Sequence, residues 1–454
     1  MKFLGRVTLA AMAAISLVVA GGVSAHAADP APVPCTPIAT ELKAKKLGKL
    51  YAYAVNLTNQ KVLVNVRSNS QTPSASVMKT ITVAAALKFV VKPREVAQLV
   101  PYTAKTSVLT LANEPGTLIL RGGGDHTLTR VAESSYTTYY LPGQHPVKLR
   151  NLATQAMAAI PADVQITKII VDDSFFKGPT WNPNWYAYSR TVGDASPITG
   201  LMVDAARKNP DLTDTKYSGY RVSDPTIQAG QFFKKWLGER ASNAVIVKGT
   251  TPVTATEITS GNSQPITNWI VHALKISDNT ETEVIARHTE LVMGLKNKYT
   301  SVQTMGKRLF TSLGVDSKKL IMKDASGLAP TNRVTAKLLV ALMSAAADPQ
   351  SDIAALPSMM ATSGSGTLNG RFLNYNKTTK SYYRVIPAGA IRAKTGYIGS
   401  VYALAGIVTT PEGNQIAFAI FARSAPSEGF TVGSGTKQAI DDVVEKLYLC
   451  GATL

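Results

Sequence analysis

Ser76 and Lys79, in Thr72-Pro73-Ser74-Ala75-Ser76-Val77-Met78-Lys79-Thr80, put a hydroxyl and an amine one helical turn apart. The apolar, alanine-rich run from Ile81 to Phe89 behind them predicts a helix. Residues i and i+3 share a helix face. The Lys79 amine can then take the Ser76 proton, and the helix N-terminus favours the negative charge that develops. The same spacing fits a plain helix cap at Ser76. It also recurs at Ser174-Phe175-Phe176-Lys177 and Ser434-Gly435-Thr436-Lys437. Two further stretches carry reactive types. Ser277-Asp278-Asn279 connects two predicted helices; Ser277 can relay a proton and the Asn279 amide can bind a substrate carbonyl, although alone the triplet reads equally as a cap. Ser260-Gly261-Asn262 shares the pattern but reads as a loose loop. Lys394-Thr395-Gly396 occurs once, on a predicted strand spanning Arg392 to Gly399. Its lysine and hydroxyl can grip a carboxylate, and its glycine leaves room for a substrate backbone along the edge. The plain alternative is a lysine at the end of an edge strand. Asp324 to Arg333 reads as a structured turn.

The elements that must position these groups follow from periodicity. Leu50–Asn56 and Lys61–Val66 read as a hairpin around Leu57-Thr58-Asn59-Gln60. From Arg94 to Gln264 strand-like pieces dominate, at Thr106–Leu111, Thr117–Leu120, Val164–Val171 and Val245–Val247. Two helices are predicted among them, Lys148–Ala159 and Ile227–Leu237. Helical patterns return at Pro265–Lys275, Thr280–Leu295, Val302–Leu313 and Thr335–Ala347. A loop-rich stretch from Pro357 to Ala390 precedes strands at Ile391–Lys394, Val401–Thr409 and Gln415–Ala422, and a final helix at Lys437–Leu449. The order is hairpin, helix, long insert, helices, strands, helix. It predicts an α/β (α+β) fold in which first and last pieces share one antiparallel sheet flanked by helices. A mostly β inserted region of one or two small modules interrupts it.

Together, Ser-x-x-Lys, Ser-x-Asn and Lys-Thr-Gly in that order form the signature of penicillin-recognising serine enzymes. The order selects Ser76, since Ser174 falls inside the insert and Ser434 after Lys394. The chain resembles the D-alanyl-D-alanine carboxypeptidases of the low-molecular-mass class C penicillin-binding proteins, which carry an insertion between the first two motifs. Here 201 residues separate Ser76 from Ser277. Arg121-Gly122-Gly123-Gly124-Asp125, Asp324-Ala325-Ser326-Gly327-Leu328 and Gly366-Thr367-Leu368 also resemble stretches of that family. His126 stands where the family usually has proline, Ala325 where it has glycine, and Thr282 where a small residue is common.

The resemblance implies a β-lactamase/transpeptidase-like catalytic domain from 28–95 and 265–454, with 96–264 inserted. It implies attack by Ser76 on the terminal D-Ala-D-Ala bond of peptidoglycan stem peptides, with Lys79 as base. Ser277 and Lys394 would protonate the leaving group. Asn279 would hold the substrate amide, Thr395 with Lys394 the terminal carboxylate, and Gly396 would border the substrate. The backbone N–H groups of Ser76 and Tyr397 would stabilise the oxyanion. β-Lactam antibiotics would acylate Ser76, and no cofactor is expected.

Composition bounds the rest. The 454 residues, 45% hydrophobic and 17% charged, suit a folded protein with a large core. Lys2 and Arg6, the apolar Val7–Ala20 and the small-x-small Ala25-His26-Ala27 read as a leader over 1–27. The mature protein is expected to be exported, to the periplasm, cell wall or exterior, without a membrane anchor. An oxidising compartment allows a disulfide between Cys35 and Cys450, the alternative being two free thiols. The formal charge of +19 falls to +17 without Lys2 and Arg6. In an exported protein it favours anionic cell-wall polymers over nucleic acid, for which no motif is present; a solvated basic surface accounts for it equally. A Ser-His-Asp hydrolase would draw on His126, His145, His272 or His288, but there is no G-x-S-x-G elbow. No histidine or cysteine cluster has zinc spacing. A β-lactamase shares the three motifs but not the long insert, and a non-enzymatic wall-binding protein would have lost reactive residues that are intact here. Carboxypeptidase and cross-link endopeptidase action stay open.

Overall fold

The structure, a computed structural model, describes Cys35 and residues 38–91, 101–131, 146–209 and 220–454. The expected leader, the 95/96 boundary and His145 lie outside these residues.

Strands β1 (Lys49–Asn56) and β2 (Val62–Val66) form the expected hairpin. They are joined by the C-terminal strands in one antiparallel six-stranded sheet of order β2-β1-β13-β12-β11-β8, with β8 at Ala361–Thr362, β11 at Ile391–Ile398, β12 at Val401–Thr409 and β13 at Gln415–Arg423, while β9 (Leu373–Asn376) and β10 (Ser381–Arg384) pair in a separate hairpin. First and last pieces of the chain therefore share a sheet, as their patterns predict. β1 pairs with β13 from Lys49–Arg423 to Asn56–Ile416. β12 and β13 are near-continuous apolar runs because both faces of the sheet are covered. Alternation then divides the side chains. Tyr51, Ala403, Ala405, Ala417 and Phe421 join the core containing the helices Met78–Ala86 and Ala336–Ala347. Leu50, Ala52, Leu404, Phe418 and Ile420 pack with Ile440, Val443, Val444 and Leu447 of the last helix, Ser434–Cys450.

Between Ser76 and Ser277 lies a second sheet of order β6-β5-β4-β3-β7. Its strands are β3 (Lys105–Leu111), β4 (Glu114–Arg121), β5 (Lys168–Asp172), β6 (Val245–Lys248) and β7 (Thr256–Asn262). β4, β5 and β6 run parallel. Parallel neighbours need crossovers, and helices Leu149–Ala159 and Pro225–Leu237 supply them, packing Leu152, Ala156, Ala229 and Phe233 into one core. The two helices lie within about two residues of the bounds their patterns predict, against one mixed sheet. The difference is β7. Ser260-Gly261-Asn262 lies in this strand, paired to β3, and not in a loose loop. The polar sequence of Thr256–Asn262 carries no apolar alternation, so its strand form comes from the open edge of β3.

Cys35 and Cys450, the two cysteines of the chain, are disulfide-bonded, as expected for an oxidising compartment.

Candidate active site

Ser76 sits in a 3-10 turn, Ala75–Val77, that leads into helix Met78–Ala86. The turn places Ala75 at φ 46°, and two glycines press on it. Gly327 has φ +85°, and a Cβ there would lie 1.9 Å from the Ala75 carbonyl oxygen. A Cβ on Gly396 would lie 3.1 Å from Ala75 Cβ and 3.3 Å from Ser76 N. Gly396 thus lets β11 approach the Ser76 turn, a use the sequence reading assigned to substrate alone. We expect Gly327→Ala to lower unfolding free energy by about 1–3 kcal/mol through backbone strain and clash. Because the displaced atom adjoins Ser76, penicillin acylation should fall by about tenfold or more in still-folded protein. Denaturant unfolding alongside a labelling time course checks this; native acylation rates would remove Gly327 from the site.

Lys79 is fully buried, on the face its spacing predicts. Its Nζ donates to Ser76 Oγ at 3.1 Å, to Asn279 Oδ1 at 2.6 Å and to the Ser326 carbonyl at 2.7 Å. Burial lowers its pKa to about 8, against the pull of Asp324, Asp278 and Glu283. An amine with that value can accept a proton near neutral pH. Across the cleft, Lys394 of β11 is also fully buried, and its Nζ donates to Ser277 Oγ at 2.8 Å and to the Thr395 carbonyl at 2.9 Å. Burial, followed by the charge of Lys79, holds its pKa well below the usual lysine range.

Ser277 ends helix Ile266–Ile276 in the left-handed conformation, φ 67°. A non-glycine residue there is strained, as is common at functional sites. Asp278 then caps helix Asn279–Val292 by accepting from Glu281 N at 2.8 Å. The plain cap reading is thus right for Asp278, and it coexists with a site role for its neighbours. Asn279 Nδ2 donates to the Asp194 carbonyl at 2.9 Å, which orients the amide and leaves a second N–H for a ligand.

Ser76, Ser277, Asn279, Thr395, Gly396 and Tyr397 line one cleft of about 660 Å³. Lys79 and Lys394 do not line it but are hydrogen-bonded to Ser76 and Ser277, which do, and neither Ser174 nor Ser434 lines that cleft. Tyr397 is 55% exposed and its ring lies 4.4 Å from that of Tyr402, its partner on β12. Several contributors escaped the sequence reading. The Ser326 carbonyl comes from the turn that reads as merely structural. Tyr186 and Tyr188 stack at 5.4 Å and form one wall. Nothing local marks them, since only the fold brings that segment to the cleft. The described histidines are occupied elsewhere. His126 and His272 bind the two oxygens of buried Glu281, at 3.1 and 2.6 Å, and His288 contacts the Gly124 carbonyl and Tyr102. None lines the cleft.

An antiparallel sheet covered on both faces, with a Ser-Lys pair facing Ser-x-Asn and Lys-Thr-Gly motifs across one cleft, defines a penicillin-binding, serine-peptidase type of α+β protein. The chain belongs to the D-Ala-D-Ala carboxypeptidase 3 (S13) family, which it matches over residues 37–220 and 209–447. It is 29% identical over 384 residues to carboxypeptidase DacB of Mycolicibacterium smegmatis, covering 83% of this chain and 75% of that one. It is 30% identical over 413 residues to carboxypeptidase Rv3627c of Mycobacterium tuberculosis, covering 90% and 82%. Its fold is similar to penicillin binding protein 4 (dacB) from Haemophilus influenzae, with TM-score 0.69 at 18% identity, covering 91% of this chain and 99% of that one. That protein has also been solved with a β-lactam, and the TM-score to that complex is 0.65. The chain is a serine-type D-Ala-D-Ala carboxypeptidase by family.

Proposed function

We propose that this protein removes the terminal D-alanine of peptidoglycan stem peptides through an acyl-enzyme on Ser76. The observation that carries the reading is Lys79 Nζ, held at once by Ser76 Oγ, Asn279 Oδ1 and the Ser326 carbonyl. A neutral Lys79 takes the proton as Ser76 Oγ bonds to the carbonyl carbon of the D-Ala-D-Ala peptide. The oxyanion is received by the backbone N–H groups of Ser76 and Tyr397, which act most strongly where charge develops. Collapse breaks the C–N bond. Ser277, hydrogen-bonded to Lys394, passes its proton to the departing D-alanine nitrogen and takes in its place the one that Lys79 removed from Ser76, so that Lys79 is neutral again. Asn279 holds the substrate amide, while Lys394 and Thr395 bind the terminal carboxylate. Water then bonds to the acyl carbon as it loses a proton to Lys79, the bond to Ser76 Oγ breaks, and Lys79 returns that proton to Oγ, which frees the shortened peptide and restores Ser76.

A β-lactam presents its ring carbonyl to the same serine, and its acyl-enzyme retains the rest of the molecule, so release is slow. The reading includes removal of the 1–27 leader and export; no helix among the described residues is long and apolar enough to cross a membrane. The basic surface then faces anionic wall polymers. The division into a catalytic part, 28–95 and 265–454, and an insertion, 96–264, belongs to the same reading.

Product analysis tests it. Incubation with a muropeptide pentapeptide should release one D-alanine per chain and leave the tetrapeptide. An unchanged pentapeptide with a cleaved cross-linked dimer would replace the reading with endopeptidase action. Rapid nitrocefin turnover would replace it with a β-lactamase, and no acylation by any β-lactam with a non-enzymatic wall binder.

A further inference from the structure

Glu283 lies one turn beyond Asn279 on helix Asn279–Val292 and is 1% exposed, yet no step above uses it. Its Oε1 accepts two backbone hydrogen bonds, from Ala325 N at 3.0 Å and Ser326 N at 2.8 Å. The carbonyl of the same Ser326 accepts from Lys79 Nζ at 2.7 Å. Elsewhere the turn is anchored by Asp324, which accepts from Gly327 N, Ala329 N, Asn332 Nδ2 and Trp185 Nε1. Asp324 fixes the ends of the turn, and Glu283 fixes the peptide that Lys79 touches.

We propose that Glu283 is a positioning residue for Lys79, holding the Ala325–Ser326 backbone so that the Ser326 carbonyl keeps Lys79 Nζ against Ser76 Oγ. The inference rests on the Ser76–Lys79 reading and adds to it a residue that never touches substrate. Glu283 faces Asp324 from the turn, Lys79 from helix Met78–Ala86, Arg287 and Glu290 from its own helix, and Tyr299. Burial, then Asp324, pushes its carboxyl up to about 8, against the Ser326 hydrogen bonds and Arg287. Its anion favours the ammonium form of Lys79. Ionisation of Glu283 and deprotonation of Lys79 therefore oppose each other and titrate as a pair.

Glu283→Gln separates the two contributions. The amide oxygen still accepts both N–H groups, while the titrating proton is gone. The experiment is the second-order rate of acylation by a fluorescent penicillin from about pH 6 to pH 10, with a thermal melt of each variant. Glu283→Gln should reach a plateau within about threefold of the unmodified protein, with its acid limb shifted to lower pH by about half a unit. Glu283→Ala should be slower by about tenfold or more at every pH, since the Ser326 peptide is released. A Glu283→Gln limb coincident with the unmodified one, or a Glu283→Ala rate equal to it, overturns the inference. If Glu283→Ala does not fold, the Glu283→Gln limb decides alone. Labelling that survives Ser76→Ala marks failure of the serine reading itself, and takes the inference with it.

Discussion

Ser76→Ala is expected to abolish covalent labelling by penicillin and to lower D-alanine release by about 10⁴-fold or more, the scale on which nucleophile removal acts in serine hydrolases. The loss is expected without unfolding. Ser76 lends its side chain to Lys79 alone among the hydrogen bonds described, and Lys79 keeps Asn279 and Ser326 as partners. The turn is set by Ala75, Gly327 and Gly396, none of which changes. The melting temperature should thus stay within about 2 °C, as for a substitution that opens no large cavity. Gel fluorescence after incubation with labelled penicillin, beside a thermal melt, reads both. A labelled band in the variant would move the nucleophile elsewhere. Ser277 would then be the group to examine, since it has its own buried amine at 2.8 Å. Its left-handed backbone and its place across the cleft make it a relay in the present reading.

Much of this arrangement was legible in the sequence because the signals were of two robust kinds. The hairpin, the long apolar strands and the amphipathic helices follow from periodicity, and they appear within a few residues of their expected ends. Three short motifs in a fixed order singled out Ser76, Ser277 and Lys394; the fold brings both serines to one cleft and sets Lys394 against Ser277. What was not legible depends on long-range placement. Strand β7 exists because β3 offers an edge to a segment with no pattern of its own. Tyr186 and Tyr188 reach the cleft only through the path of the inserted chain. Ser326 and Asp194 act through main-chain carbonyls, so their side-chain types carried no information. His126, unusual for the family it resembles, proves to be half of a buried clasp on Glu281 with His272.

Lys79→Ala is expected to slow acylation by about 10²–10⁴-fold, the usual contribution of a positioned base. The pH dependence of the unmodified protein then identifies which form of the amine works. Burial in a site crossed by Asp324, Asp278 and Glu283 leaves Lys79 with a pKa of about 8. The lowered value means the neutral amine is scarce below that point and dominant above it. If Ser76 gives its proton to that amine, acylation rises about tenfold per pH unit below 8 and levels off above. From pH 6 to pH 9 the rise is roughly ninety-fold from the neutral fraction alone. Lys394 does not account for such a limb. Burial and the neighbouring Lys79 charge hold it well below the usual lysine range, and its hydrogen bond goes to Ser277. Lys394→Ala should therefore keep the limb near pH 8 while losing rate, whereas Lys79→Ala should flatten it. A limb that persists in Lys79→Ala would reassign the base, because no other amine among the described residues donates to Ser76 Oγ.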